Sequence, residues 1–166
     1  MCSKVRRTLA CFLTLFLTLS ILKGFGEERP LGMSGVGLYV SFGGSATGKF
    51  GPGVGLLLSW KEAPLIGVTW SLLDKRQSIG AFADFWIHRG RIEQTPLQYY
   101  LGGGGYGGFS FEDSDVEANL GIRVPVGVRF LPNKNWEVFL QFVPKMEILP
   151  ELGLSIGAEL GGKYNF

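Results

Sequence analysis

Hydrophobic residues recur at every second position through most of this chain. In eight successive runs, Val, Leu, Ile or an aromatic residue alternates with glycine, serine or a polar residue. Alternation with this period is typical of β-strands, whose side chains point to opposite faces in turn. The pattern predicts eight strands, at about residues 35–42, 53–60, 66–72, 79–88, 97–107, 119–130, 136–143 and 152–166.

The less hydrophobic side of these strands consists mainly of small residues, with glycines at Gly35, Gly37, Gly53, Gly55, Gly67, Gly80, Gly121, Gly127, Gly153, Gly157 and Gly161. A soluble lipocalin-like barrel or sandwich has the same period, but its wet face needs charged residues. Small residues instead suit the narrow interior of an eight-stranded barrel, so the apolar side would contact lipid. A closed barrel satisfies its backbone hydrogen bonds in that setting. We therefore predict an all-β fold, an eight-stranded antiparallel transmembrane β-barrel.

The first 26 residues have the pattern of a secretory signal peptide. Lys4, Arg6 and Arg7 precede an apolar run over residues 8–22, and small residues follow before Glu27. The alternative is a retained anchor, but the run is shorter than the ~20 apolar residues of a spanning helix. We predict a cleaved signal peptide over residues 1–26 and a single barrel domain over residues 27–166.

Composition and charge narrow the class of protein further. Charged residues make up 18% of the chain, below the roughly 25% of soluble domains. Both cysteines, Cys2 and Cys11, lie in the predicted signal peptide, so the mature chain would have no disulfide. Cleavage would remove four of the 16 basic residues and leave 12 against 14 acidic ones. That balance excludes nucleic acid as a credible partner.

A few charged residues occupy the glycine-rich, inward side of the predicted strands. Buried charges need partners, so we predict that they pair across the lumen as a plug of salt bridges and hydrogen bonds. Left unpaired, they would mark a channel. The predicted lumen network comprises Asp84, Arg123, Arg129, Glu137, Glu159 and Lys163.

Four acidic residues, Glu112, Asp113, Asp115 and Glu117, fall in a predicted surface loop over residues 107–117. This loop is a candidate for binding Ca²⁺ or a basic partner, and the alternative is a merely solvated loop. The predicted outward loops otherwise cover residues 43–49, 74–77 and 144–151 if both termini face the periplasm.

Residues that would support catalysis or cofactor binding are scarce. His88 is the only histidine and no cysteine follows the signal peptide, which excludes the usual N/S metal sites. Asp84 shares the predicted face of His88 but lies about 13 Å away along the strand, and no nearby serine completes a nucleophile–base pair. The Gly103–Gly108 run matches a dinucleotide motif only formally, because no βαβ unit surrounds it, and is interpreted as a flexible strand end. We predict no enzyme activity, cofactor or metal.

Two features resemble bacterial outer-membrane proteins. The ending with Tyr164 and Phe166 is similar to the terminal signature that the barrel-assembly machinery reads in such barrels. The segments 120–128 and 136–144 resemble a small spirochaetal family of outer-membrane proteins without an assigned activity, and the likeness covers residues 97–166 best. That family is usually compared with OmpA, OmpX and OmpW.

The resemblance implies a location in the bacterial outer membrane, with outer-membrane lipid and the barrel-assembly machinery as partners. Some OmpX- and OmpA-like relatives bind host proteins through their surface loops. We therefore predict an integral barrel with a structural or surface-interaction role. The alternative is a narrow channel or transporter for small solutes, as proposed for OmpW-like proteins.

Overall fold

The computed structural model describes residues 34–45, 50–60, 64–73, 76–93, 95–112, 115–133 and 135–166. The predicted signal peptide lies outside these ranges. Within them, no helix has the length and apolar character needed to cross a membrane.

The described chain forms a single antiparallel sheet that closes on itself. Its nine strand segments are β1 (Gly35–Ser45), β2 (Phe50–Ser59), β3 (Leu65–Leu73), β4 (Arg76–Arg91), β5 (Leu97–Glu112), β6 (Asp115–Arg123), β7 (Val126–Phe130), β8 (Trp136–Leu149) and β9 (Gly153–Asn165). Strands adjacent in sequence pair with each other, except β6 with β7, and β1 closes the ring by pairing with β9. Both β6 and β7 pair with β5 and β8, so together they form one interrupted strand. The predicted eight-stranded barrel is confirmed.

The interruption between β6 and β7 falls at Pro125. Proline has no backbone N–H and breaks the ladder of a central strand. The neighbouring groups remain bonded, because the Gly102 N–H donates to the Pro125 carbonyl at 2.8 Å and the Val124 N–H donates to the Pro144 carbonyl at 2.9 Å. Backbone hydrogen bonding therefore continues across the break, as a membrane-spanning wall requires.

Several strands are longer than the sequence pattern predicted. β4 and β5 have 16 residues each and β8 has 14. Most of the predicted loops over residues 107–117 and 144–151 is therefore strand, and those two predictions were wrong. The reason is that alternation continues past the glycines, with Phe109 and Phe111 outside and Ser110 buried between them.

The outward side of the described strands is mostly apolar. Large hydrophobic side chains on the outward positions of the strands are exposed, such as Leu38 (66%) and Leu160 (50%). At the end where the termini meet, called here the terminal end, the Phe166 N–H donates to the Ser34 carbonyl at 2.9 Å. Trp136 and Tyr164 pack edge to face there, with ring centroids 5.2 Å apart. An apolar exterior with aromatic rings at its edge is typical of transmembrane barrels.

Inside the barrel, aromatic rings lie over glycines of the neighbouring strand. A β-carbon on any of these glycines would overlap the ring beside it; the pairs are Tyr39 with Gly55, Phe82 with Gly67, Tyr106 with Gly121, and Phe139 with Gly161. Tyr39, Phe82 and Phe139 form a buried cluster together with Leu57 and Leu65. The inward glycines therefore make room for rings that fill the lumen, rather than leaving it lined only by small side chains.

Replacing an outward leucine by arginine tests the lipid-facing assignment. We expect Leu160→Arg, midway along β9, to lower the free energy of unfolding by about 2–4 kcal/mol, because the charge enters hydrocarbon. Leu152→Arg is the matched control just before β9, where about 0–1 kcal/mol is expected. Urea unfolding in phospholipid vesicles, followed by tryptophan fluorescence, measures both. Equal small losses would contradict a lipid-facing exterior.

Two inward glycines separate ring packing from general strand effects. Gly67→Ala should cost about 1–3 kcal/mol of stability, because its β-carbon meets the Phe82 ring in a filled interior. The control Gly80→Ala should be neutral or stabilise by up to about 1 kcal/mol, because its β-carbon would lie 3.4 Å from the nearest atom, the Gly107 carbonyl oxygen. The same unfolding assay applies, and equal effects would refute the ring-over-glycine account.

Candidate functional site

All six predicted lumen residues lie inside the barrel, where they form two groups. The central cluster consists of Asp84, Arg123, Gln141 and Glu159. The terminal cluster consists of Gln98, Arg129, Glu137 and Lys163, and lies nearer the terminal end. Every one of these side chains except that of Lys163, which is half-buried, is buried.

Arg123 holds the central cluster together. Its Nε lies 3.1 Å from Asp84 Oδ1, and one of its terminal nitrogens lies 2.9 Å from Glu159 Oε2. The guanidinium carbon is 3.6 Å from the centroid of the Phe82 ring, which it covers. All three charged side chains are at most 3% exposed. Arginine suits this position because its planar group bonds two carboxylates and stacks on a ring at the same time.

Gly104 allows the Asp84–Arg123 contact to form. In the strand register Asp84 lies opposite Gly104 of β5, and Gly104 lies opposite Arg123 of β6. The two charges therefore meet across a strand that has no side chain between them. A β-carbon at Gly104 would overlap the Asp84 carboxylate. The glycine run that the sequence suggested to be a flexible strand end is regular strand and part of the site.

Uncharged partners extend the central cluster. The Tyr100 hydroxyl donates to Gln141 Oε1 at 2.7 Å, and Gln141 Nε2 donates to Glu159 Oε2 at 2.6 Å. Sequence reasoning missed both residues because it considered only charged positions. The signal was present, since Gln141 and Glu159 lie on the inward sides of neighbouring strands and face each other in register.

The terminal cluster repeats this arrangement with the charges reversed. Glu137 lies 3.7 Å from Arg129 and 3.3 Å from Lys163, so one carboxylate serves two cations. Arg129 also donates two hydrogen bonds to Gln98 Oε1, at 2.9 and 2.6 Å. Lys163 Nζ donates to the Ser59 hydroxyl at 3.3 Å. Pairing of this kind is what buried charges require.

A β-bulge changes which residues of β4 point inward. The register with β5 shifts between Trp86 and His88, so one extra residue is accommodated and the facing reverses. Arg89 consequently points inward and lies 5.3 Å from the Trp86 ring. The His88 ring packs against Tyr99, which is on the outside, at 5.8 Å. The prediction that His88 shares the face of Asp84 was therefore wrong.

Three of the four acidic residues, Glu112, Asp115 and Glu117, lie on the paired strands of a hairpin rather than in a long loop. Glu112 ends β5 and Asp115 begins β6 directly opposite it. Asp113 lies outside the described residues, and Asp115 and Glu117 are exposed. In the described part of the chain, no three His, Cys, Asp or Glu side chains are grouped so as to hold a metal ion. The hairpin presents negative charge at the end of the barrel opposite the termini, called here the far end.

A cavity of about 500 Å³ occupies the far half of the lumen. Phe82, Arg123 and Glu159 line its inner limit, and the connection between β8 and β9 lines its outer one. The central cluster therefore separates this cavity from the terminal half of the barrel.

The sequence and the fold were compared with known proteins. No protein-family model and no curated protein sequence matches this chain. Among solved structures, the fold is similar to Neisserial surface protein A (NspA), with 15% identity over 80% of this chain and 96% of that chain, at a TM-score of 0.52. It is also similar to the N-terminal β-barrel domain of Pseudomonas aeruginosa OprF, with 13% identity over 81% of this chain and 99% of that chain, at a TM-score of 0.51. The closed fold, the apolar exterior and these neighbours together show that the chain has the fold of outer-membrane β-barrel proteins.

Removing the shared arginine tests the central cluster. Arg123→Ala should lower the free energy of unfolding by about 3–5 kcal/mol, because it leaves two buried carboxylates without a cation, although Glu159 keeps its hydrogen bond from Gln141. The control Arg91→Ala, at the exposed end of β4, should cost less than about 0.5 kcal/mol. Unfolding in vesicles measures both, and a small loss for Arg123→Ala would show that the carboxylates are solvated or protonated without it.

Proposed function

We propose that this protein is a structural, surface-interacting barrel of the bacterial outer membrane whose lumen does not conduct ions. The observation that carries the proposal is the central cluster, in which Arg123 joins Asp84 of β4 to Glu159 of β9 across the interior. Inward rings such as Phe82 and Tyr100 pack around it. An eight-stranded barrel is narrow enough for side chains to fill.

The terminal cluster supports the same proposal from the other half of the lumen. Glu137 links β7 to β9 through Arg129 and Lys163. Two successive layers of paired charge would oppose the passage of an ion more strongly than one. The competing function, a narrow channel for small solutes, needs these pairs to separate.

The export and assembly of the barrel also form part of the proposal. Residues 1–26 would direct export and be removed, which fits a barrel whose described strands begin at Gly35. Tyr164 and Phe166 would be read by the barrel-assembly machinery, and both are exposed on the outward side of the last strand. The segments at 120–128 and 136–144 support membership of the spirochaetal family that they resemble.

Surface interaction would take place at the far end. The acidic hairpin exposes Asp115 and Glu117, with Val116 between them at 63% exposure. Such a surface favours basic partners, and host proteins are the proposed class. The proposal includes no enzyme activity, since the carboxylates of the two clusters, Asp84, Glu159 and Glu137, pair with cations rather than with a nucleophile.

Conductance in planar bilayers distinguishes the structural function from the channel function. We expect no discrete openings from the wild-type barrel, and none from Arg91→Ala. Arg123→Ala with Glu159→Ala should also remain closed, because the terminal cluster still blocks the lumen. Folding of each sample is checked by the change in gel mobility on heating.

Discrete openings from the wild type that change in size in the double variant would overturn the proposal in favour of transport through the central cluster. Openings confined to the double variant would place the whole barrier at Arg123 and Glu159. They would refute the proposal that the terminal cluster also closes the lumen.

A further inference from the structure

The far-end cavity has the properties of a binding site rather than of a packing void. Its volume of about 500 Å³ lies within the range of small-molecule pockets. Hydroxyl groups from five strands line its wall: Ser41, Thr69, Ser71, Ser78, Ser110 and Ser155. Thr69, Ser71, Ser78 and Ser110 already hydrogen-bond within the protein. Each hydroxyl can both donate and accept, so the wall keeps further hydrogen-bonding capacity for a polar ligand.

Two charged residues of β8, Lys145 and Glu147, also line this cavity. Unlike the charges of the two clusters, neither has an opposite charge within 4 Å among the described residues. Lys145 Nζ instead lies 5.6 Å from the centroid of the Tyr106 ring. Gly157 leaves the space beside the ammonium group open, since a β-carbon there would lie 3.9 Å from Nζ.

The two charges lie at different depths. Lys145 is opposite Arg123 in the strand register, so it is at the level of the central cluster. Glu147 is opposite Gly153, the first residue of β9, and is closer to the far end. Side chains two positions apart on a strand share a face, with their Cα atoms about 7 Å apart. Glu117 and Glu151 add negative charge to the outer part of the wall.

We propose that the far-end cavity binds a small zwitterion, with its anionic group deep beside Lys145 and its cationic group further out beside Glu147. Arg123 does not compete for the anion, because Asp84 and Glu159 already occupy it. Each end of the ligand would place an opposite charge in direct contact with Lys145 or Glu147, which no described residue does within 4 Å. The hydroxyl wall bonds the polar groups between the two ends.

Three ligands of similar length test the charge pattern on the wild-type barrel in non-ionic detergent. 6-Aminohexanoate has one charge of each sign at its ends, glutarate has two negative charges and cadaverine has two positive charges. Saturable binding, measured by calorimetry and by saturation-transfer NMR, is expected for 6-aminohexanoate. The other two should bind at least about tenfold more weakly, as one mismatched charge costs about 1.4 kcal/mol or more.

Substitutions on β8 locate the site. Lys145→Met and Glu147→Gln should each weaken binding of 6-aminohexanoate by about tenfold or more. The control Glu93→Gln, exposed at the terminal end, should leave the affinity unchanged. Each variant is first shown to be folded by its heat-dependent gel mobility. If a β8 variant fails to fold, the ligand series on the wild type still decides the question.

Three outcomes would overturn the proposal. Absence of saturable 6-aminohexanoate binding would show that the cavity holds only solvent. Stronger binding of cadaverine would show that only the acidic outer wall attracts ligands. Equal affinity in wild type, Lys145→Met and Glu147→Gln would place the binding elsewhere on the barrel.

Discussion

The interior of this barrel depends on one constraint. Polar groups enclosed by a lipid-facing wall must find their hydrogen-bond and charge partners inside the barrel. Hydrocarbon outside the wall offers no hydrogen bonds, so the sheet closes through β1 and β9. The same rule applies to the side chains inside. Arg123 serves two carboxylates, and Glu137 serves two cations. Uncharged Gln98 and Gln141 add hydrogen bonds to Arg129 and Glu159.

Glycine makes these contacts geometrically feasible. An eight-stranded lumen is too narrow for large side chains on every inward position. Glycines on one strand therefore accept rings from the next, as Gly67 accepts Phe82. Gly104 has the corresponding role for charge, because it lets Asp84 and Arg123 meet across β5. The distribution of glycine thus decides which strands can bring their side chains into contact through the interior.

Much of the fold follows from the sequence because alternation is a local property. Side-chain facing can be read residue by residue, and it assigned Asp84 and Arg123 to the lumen without knowledge of the pairing. The partners within each cluster were beyond such reasoning, because they depend on the stagger between strands. Strand ends were misjudged at Ser110 and Glu147, where glycine or charge weakens the pattern. The facing of Arg89 was missed because an extra residue in β4 leaves no trace in a periodic count.

The extra residue in β4 reverses the facing of every residue that follows it in the strand. Before Ile87, the even-numbered residues of β4 face the lumen and the odd-numbered residues face lipid. After Ile87, the odd-numbered residues face the lumen. Deleting Ile87 would remove the bulge and leave Arg89 facing the lumen, because Trp86, His88 and Arg89 already lie opposite the consecutive residues Gly102, Leu101 and Tyr100. A single deletion is therefore absorbed at this point of β4, whereas a single deletion in a regular part of the strand would reverse the facing of the residues beyond it.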